Sequence, residues 1–122
     1  GTKEFIKRNG EFTVNIALVK GNRPILGVVY APALGELYYA SETSGSVKVH
    51  VKDDGTLGEP EVLNPERTAA DRDYIVVVAS RSHMSEETKA FIEKISSKKE
   101  VKTVSKGSSL KPCLVAEGKA DV

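Results

Sequence analysis

Residues 12–30 read FTVNIALVKGNRPILGVVY. Phe12, Val14, Ile16 and Leu18 alternate with Thr13, Asn15 and Ala17, and a period of two predicts a strand with one buried face. Gly21-Asn22 is a turn signal, and the β-rich run from Pro24 to Tyr30 follows it, so the stretch reads as a hairpin. Working outward, Pro32 and Gly35 interrupt the second strand and Glu36–Ala40 supplies a third. Val47, Val49 and Val51 alternate with Lys48, His50 and Lys52, which gives a fourth strand with one wet face. The predicted architecture to this point is an antiparallel meander.

Residues 53–73 change in character. Asp53-Asp54-Gly55, Pro60 and Pro65 stand among charged residues, the composition of a connector. Beyond it, Tyr74–Ala79 (YIVVVA) is a short continuous apolar run, as expected of a strand buried on both faces in a parallel sheet. Ser80-Arg81-Ser82-His83 reads as a loop. Met84, Thr88, Phe91, Ile92 and Ile95 then fall at helical spacing, with Ser85 as N-cap and Glu86 and Glu87 in the first turn. Lys98–Glu100 is a turn and Val101–Val104 a short strand. Gly107-Ser108-Ser109 leads into a second helix that carries Leu110, Cys113, Leu114 and Glu117, tolerates Pro112 in its first turn and stops at Gly118. The expected organisation is an antiparallel sheet portion at 1–52, a connector at 53–73 and a β-α-β-α unit at 74–122.

Composition removes several function classes. Hydrophobic residues make up 39% and charged residues 29%, a globular balance rather than a disordered one. A net charge of +1 leaves no basic excess for gripping a nucleic-acid backbone, so no nucleic-acid partner is expected. No apolar run approaches the roughly 18 residues of a transmembrane segment. Cys113 stands alone, which rules out an internal disulfide and favours a reducing compartment, and no Cys/His cluster suggests zinc.

The residues that could carry chemistry gather at the loops. Gly107-Ser108-Ser109 opens a helix, where free N–H groups and the helix dipole favour an anion, with Lys106 and Lys111 nearby. The alternative is a serine cap among surface lysines. His83 and Arg81 follow a buried strand and could reach a phosphate, or could simply be loop residues facing water. His50, between two lysines on a wet strand face, is expected to have no site role. Glu36, Glu42, Asp53 and Asp54 show no metal-ligand spacing and read as solvated charges, and Cys113 reads as a small core residue.

GTKEFIKRNGEFTVNIALV at 1–19, followed by GVVYAPALGELYYA at 27–40, closely resembles the segment after the metal motif in 3'(2'),5'-bisphosphate nucleotidases of the CysQ type, in the inositol monophosphatase superfamily. SRSH at 80–83 resembles the family's second signature, and the run from Gly107 to Gly118 its third. The three occur in family order over nearly the whole chain. The resemblance implies a layered α/β (α+β) sandwich of the sugar-phosphatase type. It implies a phosphatase that removes the 3'-phosphate of adenosine 3',5'-bisphosphate, in sulfate assimilation and nucleotide recycling. Magnesium is the implied cofactor.

Position by position, the resemblance implies that Gly1 and Thr2 hold the scissile phosphate and that the Thr2 hydroxyl orients the attacking water. His83 would approach the nucleotide, and Ser108 and Lys111 would hold it and its second phosphate. The family's metal-binding carboxylates match nothing in residues 1–122, so the sequence reads as an internal fragment, expected to be inactive alone, with its magnesium ligands outside it. The location implied is cytoplasmic, or peripheral at a bacterial inner membrane. Glu4-Phe5 and Lys111 weigh against the nearest alternative, an inositol monophosphatase or other sugar phosphatase of the superfamily. A non-catalytic nucleotide-binding module is the alternative from another class.

Overall fold

The computed structural model describes residues 2–80 and 84–122, except for the side chains of Glu4 and Ala69. It is a mixed α/β structure that divides into two compact units. One comprises residues 1–63 with Ser108–Leu110, and the other residues 64–107 with 111–122.

The first unit starts with a short helix, α1 (Thr2–Lys7). The strands β1 (Val14–Lys20), β2 (Arg23–Ala31), β3 (Glu36–Ser41), β4 (Gly45–His50) and β5 (Glu61–Val62) then form one sheet in the order β1-β2-β3-β4-β5. All the pairings are antiparallel. The hairpin predicted around Gly21-Asn22 is present, with Lys20 opposite Arg23 and Gly21 at φ 63°. Left-handed backbone at a hairpin loop is readily supplied by glycine. The register shifts between Leu18 and Val19, opposite Pro24, where the missing N–H breaks the ladder. Gly35, at φ 64°, closes the next turn, and a Cβ there would sit 2.7 Å from the Val51 carbonyl oxygen.

Two features of the first unit depart from the reading of the sequence. The predicted buried face of the first strand is not formed: every residue of β1 is exposed, including Ile16 at 62% and Leu18 at 55%. Among the described residues β1 is the outermost strand and pairs with β2 alone, and alternation marks a face fit for burial without supplying what covers it. The sheet's buried residues lie on its interior strands, at Ala31, Tyr38, Val47 and Val49. Glu36 is also more than a loose charge, since it accepts from the Tyr38 hydroxyl at 3.2 Å and lies 3.7 Å from the Lys48 ammonium.

The second unit begins inside the predicted connector with α2 (Pro65–Ala69). Asn64 caps it by accepting from the Arg67 N–H at 3.1 Å, and Pro65 occupies the first turn. Strands β6 (Ile75–Ser80) and β7 (Val101–Lys106) pair in parallel, joined through α3 (Glu86–Ser96). Val76 and Val77 are 6% and 3% exposed. Neighbours on a strand point to opposite faces, so β6 is buried on both, as YIVVVA predicts. Ser85 caps α3, accepting from the Thr88 N–H at 3.1 Å, and Thr88, Ile92 and Ile95 form its half-buried stripe.

The last helix, α4 (Leu110–Ala116), is anchored by buried Leu110 and Cys113 and ends before Gly118 at φ 75°. A Cβ on Gly118 would lie 2.6 Å from the Pro65 carbonyl oxygen and 2.7 Å from Thr68 Cβ, so α2 meets that backbone directly. The chain then returns along β6: the Val78 N–H donates to the Val122 carbonyl at 2.7 Å and the Asp121 N–H to the Val76 carbonyl at 2.8 Å.

Candidate active site

The parallel pair sets the geometry of the second unit's loops. Ser80 and Lys106 are register partners at the carboxyl ends of β6 and β7. The carboxyl ends of β6 and β7 therefore lie side by side, and it is at such ends that open α/β sheets bind ligands. The loop after β6 carries Arg81 and His83, which lie outside the described residues. The loop after β7 is Gly107-Ser108-Ser109, and it leads directly into α4.

Ser108 has φ 51°, one of two non-glycine residues with positive φ among those described. Left-handed backbone costs an L-residue about 1–2 kcal/mol. Such strain persists where the surroundings over-determine it, and it clusters at binding sites. Gly107 is buried, while Ser108, Ser109 and Lys111 are half-buried. Lys111 lies three residues beyond Ser108, on the first turn of α4. Leu110 and Cys113 are buried at the start of the same helix, and the missing N–H of Pro112 costs nothing there.

Thr2 is the first residue of α1 in the first unit, and it is exposed. Gly1 lies outside the described residues. The segment that follows Thr2 folds back on itself. Phe5 and Phe12 meet edge to face with ring centroids 5.3 Å apart. Arg8 takes φ 53° and Asn9 Oδ1 accepts from the Glu11 N–H at 2.9 Å. Glu11 is only 5% exposed. The sequence reading did not single out Glu11, and its only local signal is a carboxylate set among Asn9, Gly10 and Phe12.

His50 ends β4 with its ring beside Gly35, in an open cleft that Tyr30 and Lys52 also line. Among the described residues, no three His, Cys, Asp or Glu side chains gather where they could hold a metal ion. These residues therefore do not fit a metal site.

A polar pin beneath the parallel pair was also missed. Arg72 donates to the Gly118 carbonyl and to Asp121 Oδ1, both at 2.7 Å. Asp121 Oδ2 accepts from the Val76 N–H at 2.8 Å. That backbone hydrogen bond, helped by Arg72, holds the Asp121 carboxyl below its ordinary value, against an opposing push from burial. The pin secures β6, whose carboxyl end carries the loop to His83.

The profile of the inositol monophosphatase family matches residues 1–122. The chain belongs to the inositol monophosphatase family. It is 47% identical over 122 residues to the 3'(2'),5'-bisphosphate nucleotidase CysQ of Salmonella typhimurium, covering 100% of this chain and 44% of that protein. The crystal structure of CysQ from Bacteroides thetaiotaomicron superposes with a TM-score of 0.81 at 47% identity, over 98% of this chain and 47% of that one. A Thermotoga maritima IMPase superposes at 0.70 with 24% identity, over 98% of this chain and 42% of that one, which speaks for the fold alone. The chain thus spans under half the length of the curated relatives it matches.

Proposed function

We propose that the full-length protein is a 3'(2'),5'-bisphosphate nucleotidase that hydrolyses the 3'-phosphate of adenosine 3',5'-bisphosphate. The observation that carries this reading is the 47% identity, across all 122 residues, to proteins bearing that name. The strained Ser108 turn at the carboxyl end of a parallel strand supports it independently. Magnesium is the proposed ion. The described residues gather no ligand set for it, so no step below is routed through a metal. A role in sulfate assimilation and a cytoplasmic location belong to the same proposal. No helix among the described residues is long and apolar enough to cross a membrane.

In this reading the chain's own residues bind and orient. The exposed Thr2 hydroxyl, with Gly1, meets the scissile phosphate and helps orient the attacking water. Ser108 and Lys111 hold the nucleotide, with the lysine charge directed to the phosphate that is not cleaved. His83 approaches the nucleotide.

Assaying the full-length enzyme with adenosine 3',5'-bisphosphate and with inositol 1-phosphate tests the proposal. Preference for the bisphosphate is expected, and a higher kcat/KM for the inositol ester would overturn it. Thr2→Ala should lower kcat by about 10²–10⁴-fold with little change in nucleotide affinity, the range typical of positioned proton transfer and water orientation. Lys111→Ala should raise the nucleotide Kd roughly ten- to a hundredfold, the size of one charged hydrogen bond. Nucleotides lacking the second phosphate should bind the Lys111 variant normally. His83→Ala should weaken nucleotide binding, and His50→Ala should not.

A further inference from the structure

We infer that Asn9 is a site of spontaneous deamidation, its side-chain amide cyclising onto the Gly10 nitrogen and leaving aspartate or isoaspartate in the loop between α1 and β1. The chemistry is independent of which phosphate ester the enzyme cleaves. An asparagine or aspartate precedes glycine at Asn9-Gly10 and at Asp54-Gly55. Both places make the same local turn. Asn9 Oδ1 accepts from the Glu11 N–H at 2.9 Å, and Asp54 Oδ1 accepts from the Thr56 N–H at 2.9 Å. Both glycines take positive φ, 76° and 84°, and neither has a Cβ to hinder attack by its nitrogen. The two turns differ at the atoms the reaction uses.

At Asn9 those atoms are free to react. The Gly10 N–H meets no acceptor among the described residues, so no hydrogen bond must break before its proton is lost. Asn9 Nδ2, the leaving group, is buried without a hydrogen-bond partner. Its expulsion removes an unsatisfied buried donor, which native structures rarely keep. The Glu11 N–H already points at Oδ1, where negative charge develops as the nitrogen attacks. Asn9 and Gly10 are half-buried, so part of each stays in water.

At Asp54 the same atoms are held. The Gly55 N–H donates to the Lys52 carbonyl at 2.9 Å. The Thr56 hydroxyl adds a second hydrogen bond to Oδ1 at 2.6 Å, and the Thr56 contacts keep the Asp54 carboxyl below its ordinary value. A carboxylate resists attack, because it must be protonated before it can release water.

The step needs water and no redox partner. The Gly10 nitrogen gives its proton to water and bonds to Asn9 Cγ. The Cγ–Nδ2 bond breaks, and Nδ2 takes up a proton and leaves as ammonia. Water then opens the succinimide at either carbonyl, giving aspartate, or isoaspartate with the main chain running through the side-chain carbon. Either product disturbs the loop. Isoaspartate adds a carbon to a backbone that is tight at Gly10, where even a Cβ would lie 3.3 Å from Leu34 Cδ2. Aspartate brings a second carboxylate close to Glu11, which is 5% exposed.

Incubating the folded full-length protein at neutral pH tests the inference, with peptide mass spectrometry and isoaspartyl methyltransferase labelling as readouts. The peptide holding Asn9 should convert at least about tenfold faster than those holding Asn22 or Asp54, the rate ratio that about one hydrogen bond in the barrier gives. Thr56→Ala should raise the isoaspartate formed at Asp54 and leave the Asn9 rate unchanged. An Asn9 amide that outlasts Asn22, or that survives in the folded protein while the urea-unfolded chain loses it, would overturn the inference. An Asp54 signal unmoved in the Thr56 variant would overturn the contrast between the two turns.

Discussion

Strands β1 and β6 are both rich in valine, leucine, isoleucine and alanine, yet one is exposed along its whole length and the other is among the best buried segments of the chain. The difference lies in their neighbours. β6 has β7 on one edge and Asp121–Val122 on the other, and the Arg72–Asp121 pin ties its backbone to the end of α4. β1 has β2 and no second neighbour among the described residues. Apolar pattern supplies the capacity for burial, and tertiary partners decide whether that capacity is used.

The sharpest way to break this contrast is to loosen what surrounds β6. Gly118→Ala should be the most damaging change, lowering stability by about 3 kcal/mol or more in urea unfolding. It combines a left-handed backbone position with overpacking against the Pro65 carbonyl. Val77→Ala should cost about 2 kcal/mol, for lost methyl groups and a residual cavity. Arg72→Ala should cost about 1.5 kcal/mol by the same measurement, since it removes two charged hydrogen bonds, the one to Asp121 being partly exposed to water. The matching change in β1, Ile16→Ala in the 122-residue chain, should stay within about 0.5 kcal/mol, as exposed substitutions usually do. A large loss there would show that β1 is already covered.

Acid probes the same pin. The Asp121 carboxyl titrates below its unfolded value. Its contribution is therefore fully present above the unfolded carboxylate pKa of about 3.9 and is lost as pH falls through the lower folded value. The thermal midpoint should fall across that acid window, and Asp121→Asn should flatten the fall while changing little at neutral pH beyond a constant offset. An identical acid slope in both proteins would remove Asp121 from the balance.

The sequence was legible where a local rule suffices. Gly21-Asn22 announced the hairpin, YIVVVA the buried strand, and Ser85-Glu86-Glu87 the start of α3. The short helix α1 was not legible, because six residues form too few turns for periodicity to register and isolated short helices depend on packing. The missed α2 did carry its signal, an Asn64 cap followed by Pro65, but the charged and proline-rich surroundings masked it. The exposure of β1 could not be read at all, because alternation does not say whether a cover is present. At the candidate site, residue types marked the loop at 107–109, but nothing local requires a serine at position 108 to take φ 51°.

The meeting of α2 with Gly118 has a genetic consequence. Every single-base change in a glycine codon that alters the amino acid introduces a Cβ. At Gly118 that carbon would collide with the Pro65 carbonyl oxygen and Thr68 Cβ, on a backbone that already disfavours it. No single-nucleotide missense allele at this codon can therefore be conservative. In a saturation library selected for function, position 118 should read as fixed, although its residue has no side chain with which to take part in the chemistry.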